Sequence, residues 1–389
     1  MTAGRRRGWL ERLGIGLLAA TLAIALAVLL VPPAQTATRT LALVAELIEL
    51  PLRPLSALTR APVVESTTYG SPADRLDIYT PAGSHGPRSL PAVVMVLGVH
   101  PQEIDSPDVV RIASAISRIG VVVGVADSTD LRATRVTPAE PRHLAEAVLV
   151  LAGRPQVDPA RVGLAGFSAG ASIALVAGAD ERLDLAWISA HGGYADAETL
   201  VVDVATRTQQ IGSDVRPWSP TAGIRRDVLE IFLQAIEPPA VRQPLHDVLA
   251  PVLADERAPR GPVPAVAARF DGDARVAYEV FTATGRGAAQ RALGRASAEL
   301  REQMAGISPL AFAARIRTPV YLLHGEADDA IGFSHALQLA ERLPVVAGFT
   351  RFGRFGHGQP GMDGLSLDDA GDIVALTLHL HDIVAAATE

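Results

Sequence analysis

Four short stretches of nearly unbroken apolar side chains constrain this chain most. Residues 91–97 (PAVVMVL), 120–126 (GVVVGVA), 161–165 (RVGLA) and 319–323 (PVYLL) each have the length of a strand. A strand hidden on both faces reads as such a run, whereas a half-buried one alternates. Alternation appears at 75–79 (RLDIY), which predicts an outer strand, and further strands are predicted at 183–189 and 349–352. Helical spacing of apolar residues falls between the runs, at 109–119, 141–151, 172–179, 334–343 and 367–387. Buried strands alternating with helices predict an α/β fold, a mostly parallel sheet covered by helices on both faces.

The alternation stops between residues 197 and 307. Helical spacing is visible at 225–236 and 288–305, separated by Pro238, Pro239, Pro251, Pro259, Pro262 and Pro264, and no buried strand is evident. A plain loop of that length is uncommon inside a compact domain. The stretch is therefore expected to be a mostly helical cap inserted into a domain of residues 63–389. Residues 34–62 are expected to be a tether, with a helix at 40–50 packing on the domain or lying near lipid, and with Pro51, Pro54 and Pro62 marking the approach to the first strand.

Ahead of the tether, Arg5, Arg6, Arg7 and Arg12 precede an uncharged apolar run at 13–31 that ends at Pro32-Pro33. That run is close to the ~20 residues needed to cross a bilayer as a helix. It exceeds the 7–15 apolar residues usual in a secretory signal, and no good small-residue cleavage site follows. Residues 1–33 are expected to be an uncleaved single-pass anchor, a cleaved signal being the alternative. The one-sided arginines place the N-terminus in the cytoplasm and the rest outside. Formal charge is −7 without a basic cluster beyond Arg5–Arg7, which argues against nucleic acid as a partner. Cysteine is absent, which excludes disulfides, thiolate metal sites and a cysteine nucleophile. No H-E-x-x-H spacing, P-loop or dinucleotide fingerprint occurs, so neither metal nor cofactor is implied.

The chemistry is carried by Gly166-Phe167-Ser168-Ala169-Gly170. A serine hydroxyl is a weak nucleophile and needs a fixed, exposed position beside a base. The G-x-S-x-G pattern supplies that position where a strand turns sharply into a helix, and here it lies between the strand at 161–165 and the helix at 172–179. In this fold the acid and then the base follow the nucleophile in sequence. Asp328 lies just past the run at 319–323, with neighbouring Asp329 as the competing acid or helix capping as a structural role. Downstream histidines are His335, His357, His379 and His381; only His357 sits in a glycine-flanked loop after the last strand, Gly353-Arg-Phe-Gly-His-Gly358. His100, His191 and His324 precede Asp328 and could at most line the site. Two backbone donors are needed for the oxyanion. Ala169, directly after the nucleophile, is one, and Val99, in the loop after 91–97, is the other, with His100 next to it; Pro101 has no N–H.

These residues resemble the α/β-hydrolase superfamily in its esterase, dienelactone-hydrolase-like and prolyl-oligopeptidase-like branches. The resemblance covers about residues 66–195 and 306–389. It is carried by Leu76-Asp77-Ile78-Tyr79-Thr80-Pro81, by Val157-Asp158-Pro159-Ala160-Arg161-Val162-Gly163 ahead of the serine, and by Ser308-Pro309-Leu310 through His324-Gly325-Glu326-Ala327-Asp328. It implies a Ser168–Asp328–His357 triad cleaving carboxylic esters of small molecules through an acyl-enzyme. Two positions depart from the pattern. Leu97-Gly98 stands where relatives carry His-Gly, and the cysteine nucleophile of dienelactone hydrolases proper has no counterpart. A serine peptidase or amidase of the same fold is the alternative activity, and a non-catalytic envelope binding protein on the same scaffold is the alternative of another class.

Overall fold

The computed structural model describes residues 31–99, 104–254, 261–354, 356–357 and 369–388. Eight strands form one sheet in the order β1-β2-β4-β3-β5-β6-β9-β10. They are β1 (Val63–Tyr69), β2 (Asp74–Thr80), β3 (Leu90–Val96), β4 (Val122–Ala126), β5 (Val157–Phe167), β6 (Trp187–His191), β9 (Val320–Gly325) and β10 (Val346–Phe352). β2 pairs antiparallel with both β1 and β4, and the remaining pairs are parallel. β2 alone thus runs against the rest. β3 and β4 are buried at every position, which is why they read as unbroken apolar runs.

Two helical layers cover the sheet. On one face lie the helices Glu140–Ala152 and Ala169–Ala177, whose buried residues join Leu76, Val94, Leu164 and Ile188 in the larger core. On the other, the helices Pro32–Leu47, Pro54–Leu58, Pro107–Arg118 and Ala370–Thr388 pack against Val93, Met95, Val123 and Trp187. The stretch expected as a tether therefore contains two helices docked on the domain. Leu43, Val44, Ile48 and Leu55 are buried there. Glu46 accepts hydrogen bonds from the N–H (2.7 Å) and hydroxyl (3.0 Å) of Ser56, which ties one helix to the next. Proline punctuation marked the break between them but carried no information on docking.

Residues 197–307 contain the helices Ala197–Thr206, Ala222–Gln234, Arg242–Ala254, Gly272–Phe281, Arg286–Leu293 and Ala298–Gly306. The single helix expected at 288–305 is two, because Ser297 caps a new helix by accepting the Leu300 N–H at 3.1 Å. A small antiparallel hairpin, β7 (Thr208–Ile211) with β8 (Asp214–Pro217), stands apart from the main sheet. Its strands are exposed or half-buried, so no apolar run announces them.

The expected anchor at 1–33 lies almost wholly outside the described residues. Among the described residues, Ala370–Thr388 is the one helix long and apolar enough to cross a membrane, with mean hydropathy 1.3. Its Leu376, His379, Val384 and Ala387 are buried against the domain.

Candidate active site

β5 delivers Ser168 to the carboxyl edge of the sheet. Ser168 is the turn between β5 and the helix Ala169–Ala177, with φ 56° and ψ −133°. A side-chain-bearing residue is strained there, and such strain marks functional turns. The tight turn needs its glycines. A Cβ on Gly166 would lie 2.4 Å from the Gly170 carbonyl oxygen, and one on Gly170 would lie 2.2 Å from that of Leu97. The Ser168 N–H donates to the His191 carbonyl at 2.8 Å, fixing the turn to β6.

β9 delivers Asp328, which is buried, in the loop just beyond the strand. One carboxylate oxygen, Oδ1, accepts the N–H groups of Ala330 and Ile331, each at 2.8 Å. The other, Oδ2, lies 2.8 Å from His357 Nδ1. Burial alone would push this carboxyl up. The hydrogen bond from His357, the attraction of that ring whenever it is protonated, the His324 ring beside it and the Ile331 N–H outweigh burial and hold it below the ordinary carboxylate range. An ionised carboxylate only accepts, so Nδ1 carries the proton and Nε2 presents its lone pair. That lone pair faces the Ser168 hydroxyl at 2.7 Å. The segment leading to His357 is held by Asp372, whose carboxylate accepts the N–H groups of Gly353 and Arg354 at 2.9 Å each.

Ser168, His357 and Asp328 are thus brought into one hydrogen-bonded line. The competing acid is not in it: Asp329 is exposed. The other histidines have other partners. His324 Nε2 donates to the Ile331 carbonyl at 2.8 Å. His335 is buried and accepts the Ala195 N–H at 3.2 Å, and burial pushes it down to about 3. His191 is pushed down to about 4 by burial and pairs with Ser189 Oγ at 2.6 Å. His379 bonds Thr350 Oγ1 at 3.1 Å. His100 lies outside the described residues.

Ala169 opens its helix, so its N–H has no intrahelical acceptor. Val99 is half-buried against the larger core, one residue beyond Gly98. Gly98 presses on Ser168: a Cβ there would be 2.6 Å from Ser168 Cβ and 3.0 Å from its Oγ. Gly192, with φ +62°, similarly abuts His357, a Cβ falling 3.3 Å from the ring. Gly98 entered the sequence reading only as part of the expected oxyanion loop, and Gly192 escaped it. Their position within two residues of the carboxyl ends of β3 and β6 was the available signal. Among the described residues no group of three His, Asp or Glu side chains is arranged to hold a metal.

No protein-family model matches the sequence, and no curated protein matches it. Among solved structures, the chain is similar to an acylaminoacyl peptidase of Pyrococcus horikoshii, at 12% identity and TM-score 0.47, over 85% of this chain and 41% of that one. It therefore spans about two fifths of that peptidase's length. It is also similar to a hyperthermophilic esterase of the archaeon Pyrobaculum calidifontis, at 16% identity and TM-score 0.47, over 90% of each chain. A thermostable carboxylesterase cloned from a metagenomic library gives 18% identity and TM-score 0.46, over 89% of this chain and 96% of that one.

Proposed function

We propose that this protein is a serine hydrolase that cleaves carboxylic esters of small molecules through an acyl-enzyme. The carrying observation is the continuous line from Ser168 Oγ to His357 Nε2 (2.7 Å) and from His357 Nδ1 to Asp328 Oδ2 (2.8 Å). As Ser168 Oγ attacks the acyl carbonyl carbon, His357 Nε2 takes its proton. Asp328 keeps the ring in the required tautomer and stabilises the imidazolium. The N–H groups of Ala169 and Val99 receive the developing oxyanion. Collapse of the tetrahedral species expels the alcohol, which takes the proton back from His357. Water repeats the sequence on the acyl-enzyme, releasing the acid and the free serine.

The insertion at 197–307 serves as the cap, and residues 1–33 anchor the catalytic domain on the outer side of a membrane. The test is fluorophosphonate labelling of the full-length protein, with turnover of short p-nitrophenyl esters, beside Ser168→Ala. Labelling and turnover that vanish in the variant support the reading. Their absence from the folded wild type would favour a binding scaffold, and faster turnover of peptide anilides than of esters would move the activity to amide bonds.

A further inference from the structure

The insertion at 197–307 also reaches the segment that carries Asp328. Trp218 follows β8, at the exit of the cap's hairpin, and is buried. Its indole N–H donates to the backbone carbonyl of Asp328 at 2.8 Å. Three residues on, the Thr221 N–H donates to the carbonyl of Asp329 at 3.0 Å. From β7, Gln209 Oε1 accepts the N–H of Ser334 at 3.2 Å. Between these two grips lies Gly332, where a Cβ would meet Gln209 Oε1 at 3.2 Å and the Trp218 ring at 3.6 Å. On the helix Phe333–Arg342, His335 faces Asp203 of the cap at 3.6 Å. The segment that carries Asp328 is therefore held by its strand on one side and by the cap on the other.

We infer that Trp218 is a positioning residue for the triad: its indole N–H fixes the Asp328 main chain so that Oδ2 meets His357. This rests on the triad reading above. The other carboxylate oxygen is already committed to the loop's own N–H groups at Ala330 and Ile331. Loop and carboxylate therefore move as one piece. Any slackening of the loop against the cap displaces Oδ2 from His357 Nδ1. Asp328 acts on His357 only through that contact, so the cost falls on the chemical step rather than on ester binding. Trp218 and Asp328 are 110 positions apart, and Trp218 lies in a stretch without strand or motif signal.

Trp218→Phe in the full-length protein keeps a ring and removes the donor. The expected result with p-nitrophenyl esters is a fall in kcat of about tenfold, the scale of one buried hydrogen bond, with KM within about twofold. Active sites are counted with a fluorophosphonate so that unfolded protein does not contribute. Adding Trp218→Phe to Asp328→Asn should cost less than about twofold more in labelling rate, because the two act as a unit. A merely structural role would multiply the two effects. Where Trp218→Phe does not fold, Gln209→Met, which releases Ser334, is measured the same way. Wild-type kcat, a loss confined to KM, or multiplicative effects would each overturn the inference. Loss of labelling in Ser168→Ala beside any of these would leave the triad reading standing.

Discussion

Replacing Gly98 by alanine adds one methyl group where Ser168 already stands. That Cβ would sit 2.6 Å from Ser168 Cβ and 3.0 Å from both Ser168 Oγ and the Phe167 carbonyl oxygen. Carbon atoms rest about 3.5–4.0 Å apart, so one side must retreat by about 1 Å. Ser168 cannot move easily. Its turn is fixed by the bond to His191 and by the packing of Gly166 and Gly170. The segment Leu97–Val99 therefore moves, together with the Val99 N–H assigned to the oxyanion. Misplacement of a catalytic group by 1 Å costs on the order of 10²-fold in rate. Gly98→Ala is expected to lower kcat for p-nitrophenyl esters by that factor while circular dichroism stays native. Gly170→Ala is the contrast: its Cβ meets a main-chain carbonyl at 2.2 Å, and the loss should appear as unfolding. A folded Gly98→Ala protein with wild-type kcat would refute the argument.

Asp328→Asn should lower kcat by about 10⁴-fold with little change in KM, because the amide favours the wrong imidazole tautomer; steady-state kinetics decide it. Gly192→Ala combines a φ of +62° with a methyl 3.3 Å from His357, so activity should fall more than thermal stability does, and both are measured on one preparation. Glu140, which is buried, has a carboxyl pushed up from 4.5 to about 6 by burial, against the Ser128 hydrogen bond and with help from Asp130 and Asp74. Its folded value exceeds its unfolded one, so the native state holds the proton more tightly. Stability should fall by about 2 kcal/mol as pH rises from about 4.5 to about 6. Glu140→Gln should remove that slope, read as the wild-type-minus-variant difference in urea unfolding at pH 4.5 and 7.

The central strands were legible because burial on both faces leaves one kind of residue. Thus 91–97 and 120–126 mark β3 and β4 to within two residues at either end. The serine turn was legible because glycine is required twice at fixed offsets. Strand ends read less well. β5 begins at Val157, four residues before its apolar part, and carries Pro159 where it is only half-buried. β6 is Trp187–His191 rather than 183–189, since Leu183 and Leu185 pack as a loop under the sheet. The helix Ala197–Thr206 buries so much of its surface that no polar face sets a period. Contacts between distant segments, such as Trp218 with Asp328, leave no local pattern at all.

The helix Pro32–Leu47 has a consequence for where this domain begins. Arg111, on the helix Pro107–Arg118, donates to the Glu46 and Leu47 carbonyls at 3.2 and 3.0 Å, satisfying the end of the earlier helix. Val44 and Ile48 share a cluster with Phe352, Leu376 and the half-buried Ile373 of the closing helix and its neighbouring strand. The same closing helix holds Asp372, which steadies the approach to His357. A boundary drawn at β1, where the sheet starts, would strip an apolar layer from the helix that steadies the approach to His357. The folded unit takes in the helix Pro32–Leu47, which forms part of the wall on which the His357 segment is hung.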